Sequence, residues 1–279
     1  MPRLGYHRYG KSRVRFLKVV RDGARHSVVD LDVDVALVGR FAETHVHGDN
    51  RDVLPTDTMK NTVYALGHGH TFGSAEGFAL ALGRHFVENH PRVDVAEIRI
   101  ASGAWRRIRT AGGPHDHAFL RSKREVRSCL ARVGRDGARL HAAIRNLELM
   151  KTTRSAFRDF HRDAFTTLED ASDRLLATTV TARWEYASVP GDCDDAWTRV
   201  REALVGAFAE HDSLSVQQTA YAMACAALDA CAEVARIRLV LPNRHCLWVD
   251  LAPFGIRNEN EVFRPAGEPH GRIEAVVER

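Results

Sequence analysis

Four short stretches put side chains that bind anions or move protons at the ends of apolar runs. Thr56–Asp57 open TDTMKNTVY, and Asp173–Arg174 come just before LLATTV. Gln217 sits at the start of a helical pattern in SVQQT, and Asn243 and His245 flank Arg244 after RLVLP. Residues two apart on an extended chain face the same way, so Asn243 and His245 point together if the strand continues. Arginine is a rigid fork of donors, the carboxamides of Gln and Asn both donate and accept, and histidine is the side chain that changes charge near neutral pH. Each residue also has an ordinary use. Thr56 or Asp57 offers a cap to the short helix that follows. Asn243 suits a turn after Pro242, Gln217 a first-turn surface, and Asp173–Arg174 a local ion pair.

Histidine gives a second set. His45 and His47, His68 and His70, and His115 and His117 form HxH pairs. Such pairs bind zinc or another transition metal only with a third and fourth ligand. No HExxH occurs and no cysteine lies close to a pair, so solvated or locally bonded imidazoles are expected. Gly67, Gly69 and Gly73 lack the spacing of a dinucleotide or phosphate loop. GGPHDH (112–117) reads as a turn, and there is no GxSxG elbow to nominate a nucleophile.

These groups need elements to position them. Val29, Leu31, Val33, Val35 and Leu37 alternate with Asp30, Asp32 and Asp34, which predicts a half-buried strand with a wet face. Val14 and Phe16 alternate with basic residues, and Asp22-Gly23 predicts a turn joining the two strands. Ser74 caps an expected helix with Ala75, Phe78, Ala79, Leu82 and Phe86 on one stripe, stopped by Pro91. Shorter alternations follow around Ile98 and from Val126 to Val133. The second half repeats the order: a strand through Val180, Ala182, Trp184 and Tyr186, helical stripes from Trp197 to Phe208 and from Ala220 to Cys231, then strands at Arg236–Leu241 and Cys246–Leu251. Strands, helices and strands, twice over, predict an α+β fold of antiparallel sheets layered with helices. Gly134 and Gly137 interrupt the pattern, so the expected units are 1–137 and 138–279.

Composition limits the function classes. The 279 residues carry 40 basic and 36 acidic side chains, for a net charge of +4, with signs interspersed. The densest basic stretch, Trp105–Arg109, reads as a solvated strand face rather than a nucleic-acid surface, since no longer basic stripe backs it. No apolar run approaches the ~20 residues of a membrane span. Five cysteines without a CxxC pair suit free thiols in a reducing compartment.

Together, YGK with RVRFLKV (9–19), TDTMKNTVY (56–64), FTTLEDASDRLLAT (165–178), SVQQT (215–219), LPNRH (241–245) and NENEVF (258–263) closely resemble the urate oxidase family, in family order and across nearly the whole chain. FVENH (86–90) and HDHAFLR (115–121) add to the resemblance. It implies two tandem tunnelling-fold units that assemble into a barrel-like homotetramer, with active sites at subunit interfaces. It also implies oxidation of urate by O2 and water to 5-hydroxyisourate and hydrogen peroxide, with no metal, flavin or haem. The chain ends in GRIEAVVER without an SKL-like address, and cytoplasm is the expected location.

The resemblance assigns roles residue by residue. Arg174 and Gln217 match the positions that grip the purine edge, and Val216 matches the main-chain contact beside them. Phe157, in SAFRDF, matches the aromatic that stacks on the purine. Lys11, Thr56 and His245 match the proton-transfer group, Asn243 the residue at the O2 or water site, and Asp57 an acidic residue that helps bind the partner's substrate through its backbone. Lys11, Thr56 and Asp57 would come from one subunit and the other residues from its neighbour. A pterin- or purine-processing hydrolase or cyclohydrolase on the same fold, with zinc on the HxH pairs, is the competing enzyme class. A non-catalytic purine-binding relative would keep the Arg174–Gln217 clamp and lose the relay.

Overall fold

The computed structural model describes residues 2–279, the side chains at positions 123 and 124 excepted. In chain order the elements are β1 (Tyr9–Asp22), β2 (Arg25–Gly39), α1 (Ala42–Val46), α2 (Thr56–Gly69), α3 (Ala75–Asn89), β3 (Val93–Thr110), β4 (Gly113–Gly134), β5 (Gly137–Lys151), β6 (Leu176–Tyr186), α4 (Cys193–Glu210), α5 (Val216–Ala230), β7 (Val234–Arg244), β8 (Cys246–Trp248), a 3-10 turn (Ala252–Phe254), β9 (Phe263–Pro265) and β10 (Gly271–Glu278). They sort into two compact units, one reaching to Ala143 with Trp184–Trp197 added, the other Ile144–Arg183 with Thr198–Arg279. The fold is α+β, with antiparallel sheets layered by helices, as the alternation predicts. No helix among the described residues is long and apolar enough to cross a membrane.

In the first unit, β1 pairs with β2, β2 with β3 and β3 with β4, all antiparallel. Leu31, Val33, Val35 and Leu37 are buried, and α3 packs on β3 and β4 through the expected stripe of Phe78, Ala79, Leu82 and Phe86. Ser74 caps α3 as predicted, its Oγ accepting from the Gly77 N–H at 3.0 Å. The Asp22-Gly23 turn joins β1 to β2, with Gly23 at a φ of +54° that suits a glycine.

Three expectations for this unit change. Asp30, on the predicted wet face, is buried, because Arg15 (2.9 Å), the Trp105 indole N–H (3.0 Å) and Arg121 (3.3 Å) all reach its carboxylate. β3 and β4 are also far longer than the short alternations suggest, and only Ala111–Gly112 form the turn between them. Most of GGPHDH therefore lies in β4: its register with β3 carries the pairing across polar residues that show no alternation. Finally, neither Thr56 nor Asp57 caps α2. Pro55 takes the cap position, at φ −57°, and offers no side-chain bond.

In the second unit, β7 pairs antiparallel with β10 from Asn243↔Gly271 to Arg236↔Glu278, and α5 packs on both strands. Ala220, Met223, Ala224, Ala227 and Cys231 are fully buried along its inner stripe. The strand expected over Cys246–Leu251 stops at Trp248. There Asp250 accepts from the Ala252 N–H (2.9 Å) and the Asn258 carboxamide donates to the Val249 carbonyl (2.9 Å), so local side-chain bonds turn the chain out of the ladder.

One buried ion pair fixes α3 to β4. The Arg127 guanidinium donates to both Glu76 oxygens, at 3.2 and 2.7 Å, and lies 4.8 Å from the Trp197 ring centroid. Glu76 has 0 % side-chain exposure, so it cannot fall back on water if Arg127 is lost. Removing one partner of such a pair costs about 3–5 kcal/mol. Arg127→Met is expected to lower the unfolding free energy measured in urea by that amount, and Glu76→Gln/Arg127→Met to regain part of it. Equal stability of Arg127→Met and the unsubstituted protein would refute this account.

Candidate functional site

The site residues of the first unit gather where β1 begins and α2 starts. Gly10 lies so close to β2 that a Cβ there would stand 1.9 Å from the Val35 carbonyl oxygen, which accounts for the glycine in YGK. Tyr9 packs edge-on against Phe41 at 4.9 Å, and its hydroxyl accepts from the Leu54 N–H at 2.9 Å. Burial holds the Tyr9 phenol above its usual pKa against the opposing pull of that bond. The strand carrying Lys11 is thereby tied to the loop that delivers Thr56. After Lys11 the register with β2 shifts; Arg13 takes a left-handed φ of 58° and donates its N–H to Asp34 at 2.7 Å.

Thr56 and Asp57 are the first two residues of α2. With Pro55 at the cap, the Thr56 hydroxyl is left without a partner among the described residues. Asp57 turns along the helix to Lys60 (2.5 Å) and Asn61 (3.1 Å). Lys60 chiefly, with a smaller pull from the Lys11 charge, keeps the Asp57 carboxyl below its ordinary pKa. Lys11 and Asp57 therefore lie within electrostatic reach of each other.

In the second unit the site is built on a short ladder. The segment around Ser155 is bonded on both sides. On one side the Ala156 N–H donates to the Ser213 carbonyl (2.7 Å) and the Ser213 N–H to the Arg154 carbonyl (3.0 Å). On the other, Phe157 and Ala171 exchange bonds of 2.8 and 2.9 Å, and the Arg174 N–H donates to the Ser155 carbonyl at 2.8 Å. The Asp173 carboxylate seals this edge, accepting from the Thr153 hydroxyl (2.7 Å) and the Ser155 N–H (3.4 Å). Asp173 is thus spent on its neighbours rather than on an ion pair with Arg174. Phe157 and Arg174 meet as a consequence, with the guanidinium carbon 5.2 Å from the ring centroid. Arg174 Nε is buried with no partner among the described residues, and burial alone draws the guanidinium below its ordinary pKa.

The same ladder leads into α5. The Thr219 hydroxyl, fully buried, lies 2.7 Å from that of Ser213. Ser215 caps the helix by accepting from the Gln218 N–H (3.1 Å), and the Gln218 side chain returns to the Leu214 N–H (2.9 Å). This reciprocal cap leaves Val216 and Gln217 as the first two helical residues. Val216 is buried, whereas the Gln217 side chain is exposed and free of partners among the described residues.

Asn243 and His245 reach the same end of the unit. Only residues 231–233 separate α5 from β7. A 15-residue helix rises ~22 Å, and the antiparallel strand that follows rises ~3.3 Å per residue. Asn243 therefore stands beyond the first turn of α5. Both side chains are half-buried and Arg244 between them reaches Glu148 at 3.1 Å, but the strand does not continue as the expectation required: β7 ends at Arg244, and His245 lies in the break before β8.

The ladder residues Ser155, Ser213 and Thr219 escaped the sequence reading, since their partners are distant in the chain. Phe160, whose ring stacks on Phe157, had one available signal, the aromatic spacing in SAFRDF. The histidines stay dispersed: His115 packs edge-on against His117 (4.5 Å), His45 against His7 (5.0 Å), and His70 against Phe72 (4.8 Å). No three metal-binding side chains converge among the described residues.

The model of the Uricase family matches residues 7–132 and 140–274. The uricase of Arthrobacter globiformis is 44% identical over 99% of this chain and 90% of its own length. That of Dictyostelium discoideum is 38% identical over 98% and 96%. The crystal structure of the Arthrobacter globiformis uricase superposes with a TM-score of 0.94, covering 100% of this chain and 96% of that one.

The α5 cap makes a direct prediction. Ser215→Ala removes an acceptor from the first turn and is expected to cost ~1 kcal/mol in urea unfolding. Amide exchange at 214–218 should quicken selectively. Unchanged exchange there would show that the cap does not hold Val216 and Gln217.

Proposed function

This chain belongs to the uricase family, and from that premise we propose how its residues divide the work. The enzyme oxidises urate with O2 and water to 5-hydroxyisourate and hydrogen peroxide. Urate gives up two electrons and gains the hydroxyl of water, while O2 takes two electrons and two protons.

One observation carries the assignment of the binding wall. A backbone ladder holds an aromatic face, Phe157, beside a desolvated guanidinium, Arg174, whose Nε has no partner among the described residues. A planar anion stacked on Phe157 supplies that partner, and a hydrogen bond to a charged group contributes about 1.5–3 kcal/mol. Val216 presents a first-turn N–H at the positive end of α5, where anions are favoured. Gln217 adds a carboxamide that donates to one ring atom and accepts from the next. Asn243 holds O2 or water above the ring, and His245 beside it joins Lys11 and Thr56 in moving protons. The Lys11 charge biases the Thr56 hydroxyl towards relaying a proton, and Asp57 steadies the partner's substrate edge through its backbone. The electrons come from urate itself, with no metal, flavin or haem; the protein contributes orientation and electrostatics.

Each site is proposed to lie between two copies of the chain in a homotetramer built from tandem units 1–137 and 138–279. Lys11, Thr56 and Asp57 fall in the first compact unit, and Phe157, Arg174, Val216, Gln217, Asn243 and His245 in the second, which supports two walls supplied separately. β1 has β2 as its strand partner and β10 has β7, so each presents an edge to another copy. Leu17 and Val276, on those edge strands, are 63% and 52% exposed. The five cysteines are free, which suits the reducing cytoplasm.

Protein treated with a strong chelator is expected to consume urate and O2 and release peroxide at full rate. Loss of activity to the chelator, with recovery on adding a transition metal, would overturn the cofactor-free reading. For the shared site, Arg174→Ala chains are mixed with Thr56→Ala chains after gentle dissociation. Mixed tetramers should regain part of the activity, because some sites then combine two intact walls. Mixed oligomers seen by native mass spectrometry but inactive would contradict the division of each site between chains.

A further inference from the structure

The Phe157 and Phe160 rings are nearly parallel, 10° apart in plane and 4.9 Å between centroids. That offset stack is a favoured arrangement of two aromatic rings. Asp159, in the left-handed region at φ 57°, reverses the chain between them and brings the second ring back onto the first. Phe160 is itself held from its far side. The Arg162 guanidinium carbon lies 4.6 Å from the Phe160 centroid, and that guanidinium is fixed by the Leu168 carbonyl (2.7 Å) and Asp170 (3.1 Å). Arg174 has Phe157 as its ring contact and Arg162 has Phe160, while the stacked Phe160 ring covers one face of Phe157 and leaves the other for a ligand.

We infer that Phe160 is a positioning residue for substrate stacking, bracing Phe157 from behind so that its front face stays parallel to a purine gripped by Arg174. The inference rests on Phe157 being the ring on which urate stacks. Phe157 is only half-buried, and without the second ring its plane is free to tilt. Arg162 and Asp170 extend the brace to the surface and so belong to the binding apparatus without touching substrate.

The test is a cycle of Phe157→Leu, Phe160→Leu and the double variant, each assayed for urate KM and kcat and for thermal midpoint. Phe160→Leu is expected to raise KM ~3–10-fold, the scale of one stacked aromatic pair. kcat should change less than about 2-fold, and Phe160→Tyr should restore KM. Because Phe160 acts through Phe157, the double variant should have the KM of Phe157→Leu alone. An unchanged KM in Phe160→Leu, or a fully additive effect in the double variant, would overturn the brace. If Phe157→Leu itself leaves KM unchanged, the stacking assignment fails first. Should Phe160→Leu not fold, Arg162→Leu at the exposed end of the stack replaces it in the cycle. A raised KM there that vanishes in the Phe157→Leu background supports the brace, and an unchanged KM refutes it.

Discussion

The hydrogen-bonded segment at Ser155 is the constraint on which the proposed binding wall depends. It has no regular strand on either side, yet its backbone is paired to Ala171–Arg174 along one edge and to Ser213 along the other. Buried backbone groups must find partners, so three stretches far apart in the chain settle into one register. Phe157, Arg174 and the start of α5 have no freedom to separate once that register is set. Ser213 and Thr219 are small and polar because their buried hydroxyls bond each other and the Ser215 carbonyl, where the ladder needs a hydrogen bond rather than volume.

That rigidity explains how Arg174 tolerates its surroundings. Burying a guanidinium is unfavourable unless its donors are satisfied. Here the backbone N–H of Arg174 is committed to Ser155 and the Asp173 carboxylate to Thr153 and Ser155, so the side chain cannot relax by swinging to its neighbour. The unfolded chain has no such restraint; the stability of the ladder is what holds the Arg174 donor in place for the anion proposed to bind there. The reciprocal cap of Ser215 and Gln218 does the same for the first turn of α5, fixing Val216 and Gln217 without using either.

In the first unit the equivalent task falls to close approach and to a phenol. Gly10 lets β1 lie against Val35 where any side chain would collide, and Tyr9 ties Leu54 to the same strand. Lys11 and the head of α2 are thereby held in one neighbourhood. Pro55 at the cap leaves the Thr56 hydroxyl uncommitted among the described residues, which a capping serine or threonine would not be.

Much of this was legible from residue order alone. The period-two burial of Leu31–Leu37 and the stripes of α3 and α5 follow from one apolar face needing cover, a local property of the chain. The family resemblance rests on motifs that are likewise contiguous, such as TDTMKNTVY and LPNRH. The placing of Asn243 at the end of β7 is local too, whereas the break at His245 is not. Other features depend on partners remote in sequence. Asp30 reads as a wet carboxylate until Arg15, Trp105 and Arg121 arrive from other strands. The length of β3 and β4 is set by mutual pairing across polar residues, and the end of β8 by side chains that compete for the backbone. Phe157, Arg174 and Val216 look unrelated until the ladder joins their segments. The sequence by itself determined the strand and helix periods and, through contiguous motifs, the family resemblance that nominates the candidate site residues, because residue type and local order are written in it. Which of them meet, and which are already spent on one another, was decided only by the tertiary structure, because hydrogen-bond partners are chosen by proximity in space.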